Sequence, residues 1–551
     1  MRQRPTQRTR CLCLLAAGFL VSQPITPTVI VVDGVCTLED AITAANSNAP
    51  QGSCPAGSAT DEIQLTADVI LQAPLPALSG EVTVEGNGFR VSRDPAAPDF
   101  SILSLVSTEA ITLRSLTLSN GRAEQGGGIF NQATGPVTIT NSTITGNIAF
   151  DDGGGIHNVN NGQLTVENSA IVDNRAGDVG GGVASFDSVA TLLGSTISNN
   201  EAARAGGGFY GFSTVTTIVE STLSNNQVDG SGGVSSTGGG GLYSGWDSTL
   251  ILSDSTVSGN SSGTAGGGLK LYGYFGDDSL VNSTVTGNVA SGSGGGLFAG
   301  GYYHSVSLSN VTITGNSTEG GGNSGGIFFY TSDLFTDGIG NSGGDGPQGF
   351  LNLANVIVAN NSGGNCVFSN TTPTGVGANF DDDGSCLLAL PITAGVDFEV
   401  AAADNGGPTL THALLPGSVA IDAAGDCGLA TDQRGFPRDQ GACDSGAYER
   451  VELTVAITGE CPGVIDVVVA TSDPNQRVGL FVGPGAGTSS VPSGPCAGTE
   501  LEIDLARPWR IVRTNSTGSA VASATVPVNW CGRVVQAVDE SCALSNVTPI
   551  P

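Results

Sequence analysis

The sequence predicts an all-β protein whose main part is a right-handed parallel β-helix, a solenoid of stacked coils. Two repeats that run in step predict this fold. Between residues 126 and 327, eight runs of glycine are each followed by one apolar residue, at intervals of 26 to 33 residues. Segments such as VTITNSTITGN and LTVENSAIVDN end in an asparagine with a similar period. Such a period indicates equivalent units that stack on one another.

Each repeat alternates as short β-strands do. The positions three and eight before each asparagine are always apolar, whereas position ten is less regular and Asp278 interrupts it. A spacing of two places residues on one face of a strand. The apolar residues after the glycine runs are Ile129, Ile156, Val183, Phe209, Leu242, Leu269, Leu297 and Ile327. The asparagines are Asn147, Asn174, Asn200, Asn226, Asn260, Asn288, Asn316 and Asn361.

Two other repeat architectures fit the sequence less well. A leucine-rich repeat has a similar period, but its second half needs a helix or near-helix, where this chain has glycines and another β-prone run. A calcium-binding nonapeptide solenoid repeats every nine residues. In a β-helix, we expect glycine at corners with positive φ, and asparagines that adopt the left-handed conformation and bond the asparagines above and below.

Composition restricts the partners and the compartment. The 551 residues include 84 Gly and carry a net charge of −31, so nucleic acid and anionic membrane surfaces are unsuitable partners. Four arginines within residues 1–10 precede an apolar run from Cys11 to Val21. This pattern predicts a secretory signal in residues 1–27, too short to span a bilayer, and therefore an exported protein, extracellular or on a bacterial outer surface, without a membrane span in the mature chain.

The cysteines after this signal are confined to the two ends of the chain. In an exported protein, an even number indicates disulfides, which would hold the open end coils of a solenoid. Zinc is disfavoured, because the chain has no CxxC and three histidines. The expected local pairs are Cys36 with Cys54, Cys366 with Cys386, and Cys427 with Cys443. The pairing stays open for Cys461, Cys496, Cys531 and Cys542.

Both ends also resemble known families. The segment VCTLEDAITAAN, residues 35–46, is similar to the CSLREA-type motif of bacterial exported β-helix proteins, with Thr-Leu-Glu-Asp in place of Ser-Leu-Arg-Glu. It predicts a capping helix in which Thr37 is the N-cap and Asp40, at the third helical position, makes the reciprocal capping hydrogen bond. The side chains expected to face the first coil are Leu38, Ala41, Ile42 and Ala45.

Residues 405–449 resemble the choice-of-anchor Q domain that closes such proteins, and the GGGIFN and ITGN repeats resemble, more loosely, those of chlamydial polymorphic outer membrane proteins. These resemblances imply an exported, pectate-lyase-like β-helix surface protein without a defined reaction. The alternating runs after Tyr448 predict a β-sandwich. The expected units are a signal (1–27), an N-terminal cap (28–75), the β-helix (76–365), C-terminal coils and cap (366–450) and the sandwich (451–551).

Aromatic residues recur on one predicted face. If the residue after each glycine run points inward, the next one points outward, and that column is mostly aromatic. Exposed rings suit the apolar faces of sugars or a protein partner. The alternative is a covered face, or rings that only stabilise the stack. The candidate ligand-binding residues are Phe130, His157, Tyr210, Tyr243, Trp246, Tyr272, Phe298 and Phe328, flanked by Phe186, Phe212 and Tyr330.

A second column, two residues before the glycine runs, is acidic. It contains Glu124, Asp151, Asp178 and Arg204, with Asp152 beside it. The four carboxylates are candidate Ca²⁺ ligands, the only cofactor that the sequence suggests, and Asp151, Asp152, Asp178 and Arg204 are the candidate catalytic residues of a polysaccharide lyase or glycoside hydrolase. An ordinary solvated turn is the competing interpretation. No basic residue lies between Lys270 and Arg434, which disfavours a groove for polyuronate.

These observations favour a binding or adhesive function over catalysis. The predicted protein is an exported, monomeric β-helix whose aromatic face recognises glycan or a surface protein. The alternative is a polysaccharide lyase or glycoside hydrolase of pectate-lyase-like fold. The fold itself cannot decide between them, because this type of solenoid supports both.

Overall fold

A computed structural model describes most of the chain after the predicted signal, and the signal predicted for residues 1–27 lies almost wholly outside the described residues. The described ranges are 27–230, 237–274, 276–301, 304–319, 321–331, 349–369, 371–387, 390–425, 427–439, 442–450, 453–471, 475–493, 496–515, 518–539 and 544–551. In this part of the chain, no helix is long and apolar enough to cross a bilayer.

The main body is a right-handed parallel β-helix, as the repeats predict. Each regular coil contributes one strand to each of four parallel sheets, which we number I to IV in the order in which a coil passes through them. Sheet I contains Leu103–Leu105, Ile129–Asn131, Ile156–Asn158, Val183–Phe186, Phe209–Phe212, Leu242–Gly245, Leu269–Gly273, Leu297–Gly301, Ile327–Thr331 and Cys366–Ser369. Sheet II contains Thr28–Val32, Thr60–Leu65, Glu81–Glu85, Ile111–Arg114, Pro136–Thr140, Gln163–Glu167, Val189–Leu193, Val215–Val219, Thr249–Ser253, Gly276–Val281, His304–Ser309, Leu351–Ala354 and Thr374–Val376.

The other two sheets complete the coils. Sheet III contains Val69–Leu71, Arg90–Arg93, Thr117–Ser119, Thr143–Thr145, Ala170–Val172, Thr196–Ser198, Thr222–Ser224, Thr256–Ser258, Thr284–Thr286, Thr312–Thr314, Ile357–Ala359, Phe380–Asp381 and Leu390–Pro391. Sheet IV contains Arg122–Ala123, Ile148–Ala149, Arg175–Ala176, Glu201–Ala202, Gln227–Val228, Ser261–Ser262, Val289–Ala290 and Ser317–Thr318. Equivalent residues pair in register, so Ile129 pairs with Ile156 and Ile156 with Val183.

The predicted apolar columns form the core. Every residue three or eight positions before a repeat asparagine is at most 2% exposed, and so is every residue that directly follows a glycine run. These side chains belong to one continuous cluster that runs from Ile30 to Cys386. Burial of apolar surface along this axis supplies the main favourable term in folding.

The repeat asparagines form a buried ladder, as expected. From Asn147 to Asn316, each Nδ2 donates to the Oδ1 of the next asparagine at 2.9–3.0 Å, and the backbone N donates to the same oxygen. The expected left-handed backbone is wrong for these asparagines, since it belongs to the residue before each of them. That preceding residue has φ between 55° and 67° and is Gly146, Asp173, Asn199, Asn225, Gly259, Gly287, Gly315 or Asn360.

The N-terminal end is closed by the predicted helix, Leu38–Ser47. Its N-cap is Thr37, whose Oγ1 accepts a hydrogen bond from the backbone N of Asp40 at 3.1 Å. The apolar side chains predicted to face the first coil are buried. The helix therefore covers the open end of the core.

Disulfides join the three expected local pairs. They are Cys36–Cys54, Cys366–Cys386 and Cys427–Cys443. In the C-terminal module, Cys461 pairs with Cys531, and Cys496 is also disulfide-bonded. Cys542 lies outside the described residues.

Residues 405–449, which we call the clamp, do more than close the end of the solenoid. They extend back along the outer face of sheet III. Gln433 accepts a hydrogen bond from Thr284 at 2.6 Å and donates one to Thr256 at 2.9 Å, and His412 Nε2 lies 3.0 Å from Thr286 Oγ1. These threonines are 126 to 177 residues away along the chain, so the repeat pattern alone does not predict the contact.

The C-terminal module is a β-sandwich with its own core around Ile465, Val467, Leu480 and Val535. Its antiparallel strands are Thr454–Gly459, Gly463–Ala470 and Ser519–Val526 in one sheet, Arg507–Arg513, Arg477–Gly483, Val534–Val538 and Thr548–Pro549 in a second, and Ala486–Ser490 with Glu500–Ile503 in a third. A 3-10 turn covers Val528–Trp530.

Asp278, the exception among the apolar columns, still points inward. Its Oδ2 lies 2.8 Å from Nε2 of His304, and its Oδ1 accepts a hydrogen bond from the backbone N of Leu250. Both side chains are at most 2% exposed. Burial alone would lower the pKa of His304, but its hydrogen bond to Asp278 and the Asp278 charge outweigh burial and raise it. The coil therefore holds a buried ion pair where its neighbours hold apolar residues.

This ion pair predicts a pH-dependent contribution to stability. Because the pKa of His304 is raised on folding, its stabilisation is complete below the unfolded value of about 6.5 and is lost as the pH rises through the folded value. The wild type should therefore have a higher free energy of unfolding than His304→Gln, and this difference should be larger at about pH 5.5 than at about pH 9. Denaturation of both proteins across this range measures the difference. A difference that grows with pH would contradict the assignment.

The asparagine ladder predicts a large loss on substitution. Asn200→Ala removes the acceptor of Asn174 and the donor to the Ile171 carbonyl, all in the dry interior. The expected loss in the free energy of unfolding is about 2–5 kcal/mol, since each unsatisfied buried polar group costs about 1–3 kcal/mol. Thr196→Ala, at an exposed position on the same coil, is the control and should cost little. Equal losses in the two variants would refute the role of the ladder.

Candidate functional site

The column predicted as an exposed aromatic face is largely covered. It points away from the main core, as expected, but His157 is 3% exposed and Tyr210 and Tyr243 are each 4% exposed. Tyr210 and Tyr243 stack with ring centroids 5.0 Å apart and form a separate cluster with Val179 and Ala205. The prediction that these three side chains are exposed is therefore wrong. Phe130, Phe298 and Phe328 are half-buried.

The backbone before the glycine runs packs closely against this column. Val179 and Ala205 pair with each other across the coils and belong to the same buried cluster as the tyrosines. The first glycine of the run has φ of +63° at Gly206, where an added Cβ would lie 2.7 Å from the Cβ of Tyr210. The glycines that revealed the repeat therefore also allow the chain to approach the aromatic column closely.

A second row of rings lies further along sheet I and remains accessible. We call Phe186, Phe212, Trp246 and Tyr274 the outer aromatic row. Successive ring centroids are 6.3, 5.9 and 4.7 Å apart. Three of these side chains are half-buried, and Trp246 is 47% exposed. The row is a continuous apolar surface along the solenoid, of the kind that suits a sugar ring or a protein side chain.

Trp246 is held in an unfavourable backbone conformation. Its φ is +60°, a region that costs a bulky residue about 1–2 kcal/mol. The residue in the preceding coil, Ser213, has the same conformation with a much smaller side chain. A large, exposed side chain at a strained position is the pattern found at binding sites, where strain is tolerated for function.

A second set of rings, next to the outer aromatic row, contains the candidates Tyr272, Phe298 and Phe328 together with Tyr330. Phe298 and Phe328 stack at 5.2 Å, and Tyr272 and Tyr330 at 6.1 Å. Behind them, Lys270 is 3% exposed and donates from Nζ to the carbonyl of Thr237 at 2.6 Å. Burial lowers the pKa of Lys270 to about 8. Its ammonium lies 5.0 Å from the ring centroid of Phe298, so it supports the rings by a cation–π contact.

The acidic column converges in part. Carboxylate oxygens of Asp151, Asp152 and Asp178 lie within 4.8 Å of one another, all on half-buried residues. Glu124 is exposed and does not belong to this group. Its expected role as a metal ligand is therefore not supported, because its position one coil earlier lies in solvent. The other three offer oxygen ligands of the type that Ca²⁺ binds.

Arg204 pairs with one member of this group. Its Nε and Nη2 donate to the two carboxylate oxygens of Asp178 at 2.5 and 2.6 Å. The pair is bidentate, and the hydrogen bond to Asp178 raises the pKa of Arg204. A guanidinium held in this way neutralises Asp178 and is committed to that carboxylate, so it is a positioning group for the cluster.

The carboxyl group of Asp152 has a raised pKa. Burial, followed by the charge of Asp151, raises its pKa to about 6, although the backbone N of Val179 donates to its Oδ1 at 3.2 Å. Nearby, burial lowers the pKa of His157 to about 4, and its Nδ1 has no hydrogen-bond partner among the described residues. A carboxyl group that titrates near neutrality can exchange a proton with a ligand.

The sequence did not indicate two features of this surface. Tyr274 lies outside the regular columns, after the end of the sheet I strand Leu269–Gly273. Only the alternation of Tyr272 and Tyr274 after a glycine run hinted at it. Lys270, which follows Leu269 in the outward column, lies buried among the rings.

Comparisons with known proteins add little to this picture. No protein-family model matches the sequence, and no curated protein matches it. The resemblances at the two ends therefore remain predictions. The chain is similar in structure to pectate lyase Pel9A, with 16% identity, a TM-score of 0.36, and coverage of 73% of this chain and 93% of the lyase.

A second similar structure is the enzymatically active domain of tailspike protein 4 of bacteriophage CBA120. The identity is 9% and the TM-score 0.30, with 92% of this chain covered and 65% of that domain. Both similarities are too weak to carry an argument about activity or ligand.

The acidic cluster predicts a gain in stability on neutralisation. Because the folded-state pKa of Asp152 is raised, ionisation destabilises the protein increasingly as the pH rises from about 4 through about 6. Asp152→Asn keeps the acceptor for Val179 and removes this penalty, so its gain over the wild type should be larger at about pH 8 than at about pH 4. Thermal unfolding of both proteins at the two pH values measures this gain in stability. The exposed Asp187, as Asp187→Asn, is the control, and a pH-independent gain would contradict the account.

Proposed function

We propose that the protein is an exported β-helix protein, secreted or on the cell surface, that binds glycan through the outer aromatic row. The observation that carries this proposal is Trp246, which is half exposed, held at positive φ, stacked on Phe212 and in tilted contact with Tyr274. A strained, exposed tryptophan costs stability unless it has another use. Planar rings at this spacing offer successive apolar faces to the sugars of one chain.

Export is supported by the apolar run that follows the four N-terminal arginines and by the disulfides of the end regions. The net charge of −31 makes nucleic acid and anionic membranes poor ligands. The CSLREA-like and choice-of-anchor Q-like segments support a bacterial surface protein in particular. A surface protein is the alternative partner for the same aromatic row.

One observation favours a second candidate function, a polysaccharide lyase or glycoside hydrolase. Asp152, with its pKa of about 6, lies beside Asp151 and Asp178. A carboxyl group with such a pKa suits general acid or base catalysis near neutral pH. Asp151, Asp152 and Asp178 would be the protein ligands of Ca²⁺, which would neutralise their mutual repulsion and polarise a sugar carboxylate.

Binding should depend on Trp246. Trp246→Gly removes the ring at a backbone position that favours glycine, so the variant should fold and unfold at the same or a higher temperature. Its affinity for the neutral polysaccharide that retains the wild type best, among xylan, β-glucan and mannan, should fall about tenfold or more. Affinity electrophoresis measures both proteins. Tyr243→Phe, inside the covered column, is the control and should bind normally.

The same incubations, with Ca²⁺ present, separate binding from catalysis. Retention without shorter products supports the binding function. Release of products that is lost in Asp152→Asn and kept in Trp246→Gly would establish the enzyme instead. Unchanged retention of Trp246→Gly would overturn the aromatic row as the binding surface.

A further inference from the structure

The C-terminal sandwich contains an apolar cavity with a basic border. Its volume is about 540 Å³, and its wall includes Phe481, Trp509, Ile511 and Val538. Ile511 is 62% exposed, which is high for a large apolar side chain. A cavity of this size and lining is typical of a small-ligand site or of a subsite for part of a polymer.

Arg477 and Arg510 line this cavity, and Arg513, the strand partner of Arg477, lies next to its border. Four of the chain's 19 basic residues lie on two adjacent strands, Arg477–Gly483 and Arg507–Arg513. They are Arg477, Arg507, Arg510 and Arg513. None of the ion pairs within the described ranges involves any of them. In a chain with a net charge of −31, this is a local reversal of the sign of charge.

Two of these arginines are placed against each other. Arg477 and Arg513 are direct register partners across the antiparallel strands, and both are exposed. Side chains at such positions start about 5 Å apart, and like charges there are destabilising. Arg510 is partly engaged, because its Nη1 donates to the carbonyl of Ser523 at 3.2 Å. An anion between Arg477 and Arg513 would convert the repulsion into two charge-assisted contacts.

We infer that this cavity binds an acidic polysaccharide. A carboxylate of the polymer bridges the guanidinium groups of Arg477 and Arg513, whose planar forks match carboxylate geometry. The sugar ring that carries it packs on Ile511 and Trp509. Asp539 also lines the cavity but is 4% exposed, so it leaves the cationic border open to the ligand. The site is separate from the outer aromatic row and attaches the module to a charged surface polymer.

A different role would account for the arginines alone. The strand Arg507–Arg513 is at the edge of its sheet, and charged residues on edge strands prevent pairing with other chains. That role needs no cavity and no anion. It predicts that removing the arginines causes self-association and leaves polysaccharide binding unchanged.

The test compares the full chain on polygalacturonate and on the same polymer after complete methyl esterification. Retention at low salt on the charged polymer alone is expected, with loss at about 0.5 M NaCl as the ions screen the contact. The double variant Arg477→Ala/Arg513→Ala should weaken binding about tenfold or more. The single variant Arg513→Ala should weaken it by less. Arg533→Ala, in the same module but outside the cavity, is the matched control. The double variant should unfold no earlier than the wild type, because it removes a like-charge pair.

The same measurements in the Trp246→Gly background separate this site from the solenoid surface. Retention on polygalacturonate that survives Trp246→Gly and is lost with the two arginines supports the inference. Equal binding to the esterified polymer, or retention that is unchanged in the double variant, overturns it. Binding by the arginines to an acidic peptide or to phosphatidylglycerol vesicles, without binding to the polymer, would also overturn it.

Discussion

The in-register pairing of each coil with the next is the constraint on which the rest of the solenoid depends. The asparagine ladder fixes this register in the dry interior, because each amide joins its neighbour and the backbone of an adjacent coil. A slip of one residue would move every core side chain to the outer face. Residues at equivalent positions are therefore stacked about 4.8 Å apart, whether or not their chemistry makes this favourable.

This stacking explains both surface features. Rings repeat along sheet I where equivalent positions of successive coils are both aromatic, as in Tyr210 with Tyr243 and Phe186 with Phe212, and these ring contacts stabilise the stack. Carboxylates repeat in the same way, so that Asp151 and Asp178 meet although their charges repel. The bidentate contact from Arg204 to Asp178 offsets part of that repulsion.

The sequence was sufficient to predict the β-helix, its core columns, the capping helix and three disulfides, because these features follow from local periodicity. It did not predict which outward residues are exposed. Tyr210 and Tyr243 point away from the main core, as expected, but they are buried in a separate cluster with Val179 and Ala205. Alternation distinguishes the two faces of a strand and contains no information about what covers a face.

Contacts between distant segments of the chain also could not be predicted from the sequence. Gln433 binds threonines of sheet III that are 149 and 177 residues away, and His304 reaches Asp278 from the next coil. Asp278 is an exception in the apolar column of the sequence, but its partner His304 lies two positions out of register on the next coil, so the repeat does not reveal the contact. The left-handed backbone conformation was predicted at the ladder asparagines, but it lies at the residue before each of them, because the ladder side chains must point inward.

Oxidative footprinting with a bound oligosaccharide tests the central claim most directly. Hydroxyl radicals modify exposed rings, and mass spectrometry measures the rate at each one. The account predicts that the ligand slows the oxidation of Trp246 and Tyr274, whereas the buried Tyr243 reacts slowly with and without it. Protection confined to the region around Asp151 and Asp152, with Trp246 unchanged, would contradict the aromatic row as the binding surface and favour the acidic cluster.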